Sequence, residues 1–284
     1  MAQTPSQANA AEIENWNEVV GRSWAMLHER LDRQIAPIGR VAMARAGFAA
    51  GQRVLDIGCG CGETSFEIAG KVSPGRVDGV DISAMLLEIA RTDAAAKGLS
   101  NISFTQADAQ VHAMPPAAYD VVFSRFGVMF FDDPTAAFAN ISPALKPSGR
   151  LAFCCWRAPT ENLWMALPMQ AVRHLLPPLP PADPNAPGPF AFADAERVRR
   201  ILADAGFTGI EIEPLDLVTG TDSLDESVLL ALRIGQLGSA LRQIGPDDAL
   251  KAKVEGALRE AMARHLEDGV VKLPAAAWIV SARA

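Results

Sequence analysis

Residues 51–62, GQRVLDIGCGCG, constrain this chain more than any other stretch. Val54, Leu55 and Ile57 form a short apolar run, Asp56 interrupts it, and Gly58, Gly60 and Gly62 follow at every second position. Branched apolar residues in so short a run predict a buried strand. The glycines predict a tight loop, because glycine alone turns freely at positive φ and lets a ligand approach the backbone. A helix is expected to open near Glu63, with unpaired N–H groups that suit an anionic group. The acid at the strand tip suits a cationic or hydroxylated group instead. The expected ligand is therefore a nucleoside carrying both charges.

The rest of the chain repeats the strand–helix rhythm. Strands are expected at about 53–57, 76–80, 101–105, 119–124 and 150–156, with helices at about 63–71, 84–97 and from Asp132 toward Leu145. Pro74-Gly75 and Lys146-Pro147-Ser148-Gly149 read as turns, Ser83 as a helix cap and Gly98 as a helix stop. Such alternation implies a mostly parallel sheet. Residues 157–193 break it: Leu163 to Leu176 is apolar and helical in pattern, and seven prolines lie between Pro177 and Pro189. A helix at 194–205, a strand at 210–217, a second helical insertion at about 223–268 and a last strand at 276–282, antiparallel beside strand six, complete the chain. Ahead of the first strand, Trp16, Val19, Val20, Trp24, Leu27, Leu31 and Ile35 fall near helical spacing, Pro37 interrupts or opens a helix, and Gly47 ends one. Residues 1–10 are small and polar and are expected to be disordered. The expected division is an N-terminal helical lid at 1–47 and one domain at 48–284, with cap insertions at about 157–193 and 223–273.

Charge and cysteine usage narrow the partners. The net charge of −7, from 26 basic and 33 acidic residues, comes with no basic run to track a phosphate backbone, so nucleic acid is not expected as a partner. Cys59, Cys61, Cys154 and Cys155 form two tight groups, unlike a secreted disulfide framework. Adjacent cysteines on a strand face opposite ways, so Cys154 and Cys155 do not share a metal. No spacing of histidine, cysteine and carboxylate argues for a metal elsewhere. MAQTPSQANAAEIENW lacks a basic, apolar signal sequence, and no apolar run is long enough to span a bilayer. A cytoplasmic monomer or homodimer is the expectation.

In an open α/β sheet the ligand sits beyond the carboxyl ends of the strands, at the switch in strand order. The glycine loop, Asp81, Asp108 and Ser124-Arg125-Phe126-Gly127 collect there. Asp81, one strand–helix–strand step past Asp56, can accept two ribose hydroxyls, Asp108 can accept from an adenine amino group, and Ile82 and Met85 can pack on the ring. The dinucleotide fingerprint G-x-G-x-x-G does not fit, because the sixth position is Glu63 counted from Gly58 and Ser65 counted from Gly60. The Gly-Lys-Ser/Thr ending of a triphosphate loop is missing too.

Val54-Leu55-Asp56-Ile57-Gly58-Cys59-Gly60-Cys61-Gly62, Gly79-Val80-Asp81-Ile82-Ser83, Ala107-Asp108-Ala109 and Tyr119-Asp120-Val121-Val122 together resemble the class I S-adenosylmethionine-dependent methyltransferases. Within that family the chain is similar to the small-molecule branch that includes ubiquinone and menaquinone C-methylases. The resemblance implies an α/β, Rossmann-like, seven-stranded, mostly parallel sheet with the last strand antiparallel between strands five and six, helices on both faces, and S-adenosyl-L-methionine as cofactor. It implies that Asp56 and the loop Gly58, Cys59, Gly60 and Gly62 hold the methionine part, with Asp56 toward the ammonium. Asp81 would take the ribose hydroxyls, Ile82 would cover the adenine, and Asp108 and the Ala109 backbone would read its edge. Ser124 and Arg125 would line the region near the sulfonium and the acceptor.

Methyl transfer by in-line displacement rests largely on alignment and exclusion of water. The apolar insertion residues Trp156, Leu163, Trp164, Met165, Leu167 and Met169 suit a small apolar or aromatic acceptor. His28 and His174 are the candidate bases, since imidazole titrates in the useful range; Arg125 is a candidate for orienting an anionic acceptor. A nucleoside-binding regulator or partner subunit without turnover, and a methyltransferase acting on protein or RNA, remain open on the sequence.

Overall fold

A computed structural model describes residues 9–179 and 183–284. The expected disorder of 1–10 lies almost wholly outside them, as do three residues of the proline-rich stretch. The sheet is built from β1 (Arg53–Ile57), β2 (Arg76–Asp81), β3 (Ile102–Gln106), β4 (Tyr119–Arg125), β5 (Leu145–Trp156), β6 (Thr208–Thr221), the two-residue β7 (Leu266–Glu267) and β8 (Val270–Arg283). The strand order is β3-β2-β1-β4-β5-β8-β6, with β7 paired to β8 alone. Strands β1 to β5 pair in parallel, and β8 runs antiparallel between β5 and β6. This is the expected Rossmann-like seven-stranded sheet. The order reverses between β1 and β4, which puts the ligand crevice beyond Ile57 and Arg125.

The crossover helices are α3 (Glu63–Val72), α4 (Ala84–Ala96), α5 (Pro134–Ile141) and α7 (Ala195–Asp204), following α1 (Ala10–Asn17) and α2 (Val19–Ala46). Ser83 caps α4 by accepting from the Leu86 N–H, and Asp133 caps α5 through Ala136. Helices on both faces bury the central strands completely. Val54, Val121, Phe123, Leu151, Phe153, Cys154, Cys155 and Val280 belong to one core cluster, and each large apolar side chain so buried contributes about 1.5–3 kcal/mol. Cys154 and Cys155 are both fully buried because both sheet faces are covered.

Three local expectations change. Pro37 lies inside α2, an unbroken 28-residue helix that Gly47 ends. Lys146–Gly149 is a bulge within β5, where pairing jumps from Tyr119–Leu145 to Val121–Arg150. Strands β6 and β8 run well beyond the expected segments, because Val218 to Thr221 pair with Pro274 to Val271.

That extension carries the cap. Helices α6 (Leu163–Val172), α8 (Leu224–Arg233), α9 (Gly235–Ile244) and α10 (Asp248–Ala263) come from the two insertions. They enclose a second core of Val172, Val228, Leu237, Val254, Leu258 and Met262, to which Val271 and Leu273 of β8 contribute. Helix α2 bridges the two bodies. Ile35, Ile38, Ala42, Met43 and Ala46 join the sheet's core, while Leu27 and Leu31 pack on Leu230 of α8.

Candidate active site

The loop after β1 is shaped by close approach. A Cβ on Gly58 would lie 2.7 Å from the Gly127 Cα, so the two loops at the reversal touch backbone to backbone. Gly60 differs: at φ 55 its Cβ would meet nothing within 4 Å, which leaves open space beside the loop. The Gly60 N–H donates to Asp81 Oδ2 (2.8 Å) and the Ser83 N–H to Asp81 Oδ1 (2.8 Å), so the β2 carboxylate locks the loop to the rim.

Asp56 is 1% exposed and accepts from Ser65 Oγ at 2.5 Å. Burial raises its pKa to about 7, against the opposing effects of the Ser65 hydrogen bond and the Arg125 charge. Asp81 is raised by burial as well, with the N–H groups of Ser83 and Gly60 pulling the other way. Asp108 Oδ1 accepts from Asn9 Nδ2 (3.0 Å) and the Gln110 N–H (2.9 Å), while buried Oδ2 has no partner among the described residues.

These groups line one cavity of about 900 Å³ that runs from the glycine loop into the cap. Ligand pockets span roughly 300–1,000 Å³, so there is room for a nucleoside and a second molecule. Asp56, Gly58, Cys59, Gly60, Asp81, Ile82, Asp108, Ala109 and Arg125 all contribute to its wall. Trp24, Phe126, Trp156, Trp164, Met165, Met169 and Leu237 give the wall its large apolar side chains, and Arg173, Arg233, Gln236, Arg242 and Gln243 of the cap line it as well. Phe126 holds φ 61, uncommon for a bulky residue, and its ring stacks on Trp156 at 4.0 Å and 11°. The residues present fit an adenosyl sulfonium: open space at Gly60, a carboxylate oxygen at Asp108 with no partner among the described residues, and a buried acid at Asp56.

Other expected residues stand elsewhere. Ser124 is fully buried behind the loop, donates to the Ile57 carbonyl (2.8 Å) and accepts from the Gly127 N–H (3.2 Å). It fastens the two loops and is not part of the wall. Gly62 opens α3 at φ 92 against the Phe66 ring, also outside the wall. His174 is exposed in the turn after α6, although its neighbour Arg173 reaches the cavity. Arg125 is held by Asp32 of α2 at 2.6 Å, so its charge is already paired. His28 Nδ1 meets Glu63 Oε1 at 2.7 Å, and it is Glu63 that lines the cavity.

Cys61 joins His28 and Glu63, with one ligand-type atom from each within 4.8 Å of the others. Their spacing in the chain gave no sign of this. Burial and the charges of Glu63, Asp81 and Asp93 push the Cys61 thiol far up. Within the group His28 and Glu63 hydrogen-bond to each other, which ties α2 to the first turn of α3. Sequence reasoning also missed Asn9, Asn17 and Gln34, whose roles depend on contacts far along the chain.

Comparison with known proteins places this geometry. Residues 54–149 match the model of a family described as a methyltransferase domain. The chain is 40% identical over 118 residues to aklanonic acid methyltransferase DauC of Streptomyces sp. (strain C5), a match covering 41% of this chain and 54% of that protein's length. It is 30% identical over 176 residues to a demethylmenaquinone methyltransferase of Deinococcus radiodurans, covering 59% of this chain and 73% of the relative. Among solved structures it superposes on the [4+2]-cyclase SpnF with a TM-score of 0.57 at 19% identity, covering 93% of this chain and 95% of that one, a likeness of fold. The chain belongs to the class I S-adenosylmethionine-dependent methyltransferases.

Proposed function

We propose that this protein is an enzyme that transfers the methyl group of S-adenosyl-L-methionine to a small, flat, aromatic acceptor. The observation that carries this is the single cavity that joins a nucleoside rim to an aromatic, apolar wall under the cap. When bound, the cofactor supplies an electrophilic methyl group on a sulfonium.

The chain's residues supply the rest. Asp56 faces the ammonium of the methionine part, Asp81 accepts from the ribose hydroxyls, Asp108 Oδ2 and the Ala109 backbone read the adenine edge, and Ile82 covers it. Asp81 keeps capacity for this because each carboxylate oxygen accepts only one N–H from the chain. The stacked Phe126–Trp156 pair and Trp164, 5.1 Å from Trp156 and tilted 58° to it, give the acceptor an aromatic wall. Alignment against that wall, with water shut out by cap and α2, is the main source of rate. Arg125, spent on Asp32, organises α2 rather than gripping an anionic acceptor. His28 acts through Glu63, the titratable group that meets the cavity there. An acidic phenol or enol as acceptor asks little more of a base. The names of the two relatives, an aklanonic acid methyltransferase and a demethylmenaquinone methyltransferase, support a small-molecule acceptor.

The test is incubation with labelled S-adenosylmethionine and a panel of phenols, hydroxyanthraquinones, naphthoquinols, amines and thiols. Labelled aromatic product together with S-adenosylhomocysteine supports the reading. Tight cofactor binding with no methylated product from any class would make the protein a nucleoside-binding regulator instead.

A further inference from the structure

Among the described residues, one group of side chains sets the donor types of a zinc site within reach of a single ion. His28 of α2, Cys61 of the glycine loop and Glu63, the first residue of α3, bring a ring nitrogen, a sulfur and a carboxylate oxygen within 4.8 Å of one another. The closest edge is the hydrogen bond of 2.7 Å between His28 Nδ1 and Glu63 Oε1. Zinc binds such atoms at roughly 2.0–2.3 Å, so a tetrahedral ion holds them roughly 3.3–3.6 Å apart. The group brackets that spacing, and small side-chain rotations close it on an ion.

Burial and charge agree with the geometry. Cys61 is 1% exposed and forms the floor of the group. The side chains of His28 and Glu63 are 18% and 24% exposed, which gives an ion a path from outside. Glu63, Asp81 and Asp93 all act on Cys61 with negative charge. The field that holds a proton on the sulfur also draws a divalent cation to it, and a coordinated cation takes the proton's place. A donor set of nitrogen, sulfur and one oxygen selects zinc's class over magnesium or calcium, which prefer oxygen throughout.

We propose that His28, Cys61 and Glu63 bind one divalent cation of zinc's class, which pins α2 to the glycine loop. The Cys61 S–H proton leaves to solvent as the metal–sulfur bond forms. His28 coordinates through a ring nitrogen as the neutral imidazole, and Glu63 coordinates as the carboxylate. The single hydrogen bond between α2 and α3 thereby becomes a junction of three elements. Three protein ligands leave a fourth position for water, the arrangement of an exchangeable site rather than a closed structural one. While the ion is bound, Glu63 is a ligand and takes no proton from an acceptor. The site does not depend on which molecule fills the rest of the cavity.

The test uses the full, untagged chain, stripped with a chelator and titrated with Zn2+ and with Co2+ as a coloured substitute. Calorimetry should show one zinc per chain, and cobalt should give the near-ultraviolet charge-transfer band of a thiolate ligand. Cys61→Ser, which keeps the size of the side chain, should abolish that band. This variant, His28→Gln and Glu63→Gln should each weaken zinc binding at least tenfold, since even outer-shell changes at metal sites cost about 10–100-fold. Zinc should raise the melting temperature of the wild type and leave that of Cys61→Ser unmoved. A large excess of Mg2+ should not displace the zinc. A wild type that does not bind zinc at one per chain, a cobalt complex without the thiolate band, displacement by Mg2+, or unchanged zinc affinity in Cys61→Ser would overturn the proposal. The first three readings need no variant, so a misfolded variant does not rescue it.

Discussion

Asp56 is the residue where burial and function pull hardest against each other. Its pKa rises from 3.8 to about 7, chiefly through burial. A folded acid with a raised pKa keeps a proton that the unfolded chain has already released. Stability therefore falls as pH climbs from about 4 to about 7, and the penalty is fully present above that window. At about 1.4 kcal/mol per unit, the penalty reaches a few kcal/mol. The unliganded protein should melt lower at pH 8 than at pH 5, and Asp56→Asn should flatten that slope. A cofactor ammonium beside Asp56 favours the ionised form, so binding near pH 6 should release a proton. Calorimetry in buffers of different ionisation enthalpy reads this directly, and zero release would place the ammonium elsewhere. At the second acid, Asp81→Ala should weaken S-adenosylhomocysteine binding by about 1–3 kcal/mol, and unchanged binding would sink the ribose assignment. Asp56, Asp81 and Asp108 were legible in the chain because each stands at or just beyond the C-terminal end of a short strand. Gln34, on the cavity wall, was not, because a glutamine within a long helix carries no mark of the site in the sequence, whereas Trp164 stood out as part of an apolar insertion. Ser124 and His174 looked like site residues by position along the chain; Ser124, still within β4, is buried behind the loop, and the turn after α6 leaves His174 in solvent.

The element that decides most is α2. Its apolar positions at 27, 31, 35, 38, 42 and 46 keep one face buried over its length, the first two in the cap's contact and the rest in the sheet's. That double anchorage explains why Pro37 does not break it: one lost backbone bond is small against two cores. Asp32 holds this helix to β4 through Arg125, whose side chain is 11% exposed. Asp32→Asn keeps the shape and strips the charge from a largely buried partner, so a loss of about 1–3 kcal/mol in denaturant unfolding is expected, below the full cost of breaking a buried pair because Asp32 is 24% exposed. No loss would mean that packing alone seats the helix. Strands β1 to β4 could be read from sequence since each is a short apolar run between turn residues. The outer halves of β6 and β8 could not: Thr219-Gly220-Thr221 and Pro274 read as loop, and they are extended only because each pairs with the other and Val271 and Leu273 are buried in the cap. Here long-range pairing overrides local preference.

At the scale of the molecule, the cavity is closed from three sides by chain segments distant in sequence. The sheet's rim forms the floor, the cap forms the far wall, and α1 crosses the near edge. Asn17 Nδ2 donates to the Ile82 carbonyl (2.9 Å), and its Oδ1 accepts from the Ala84 N–H (2.9 Å). The Trp16 carbonyl accepts from Ser83 Oγ (2.8 Å), while its ring packs edge-on against Trp24 and Phe130. Asn9 completes the crossing by donating to Asp108 and accepting from the Asp132 N–H at 2.6 Å. Every one of these partners flanks or belongs to the nucleoside rim, and none belongs to the sheet's deep core. A short helix of eight residues is marginal by itself, so its order rests on these side-chain bonds, and we propose that it is the segment that opens for exchange. Asn9→Ala combined with Asn17→Ala should therefore act on retention rather than on folding. S-adenosylhomocysteine should leave about tenfold faster in stopped-flow, since losing bonds worth about 1.4 kcal/mol is a factor of ten, while the melting temperature of the unliganded protein stays within about 2 °C of the wild type. An unchanged dissociation rate would show that α1 does not gate the rim, and an equal fall in melting temperature would make it part of the core.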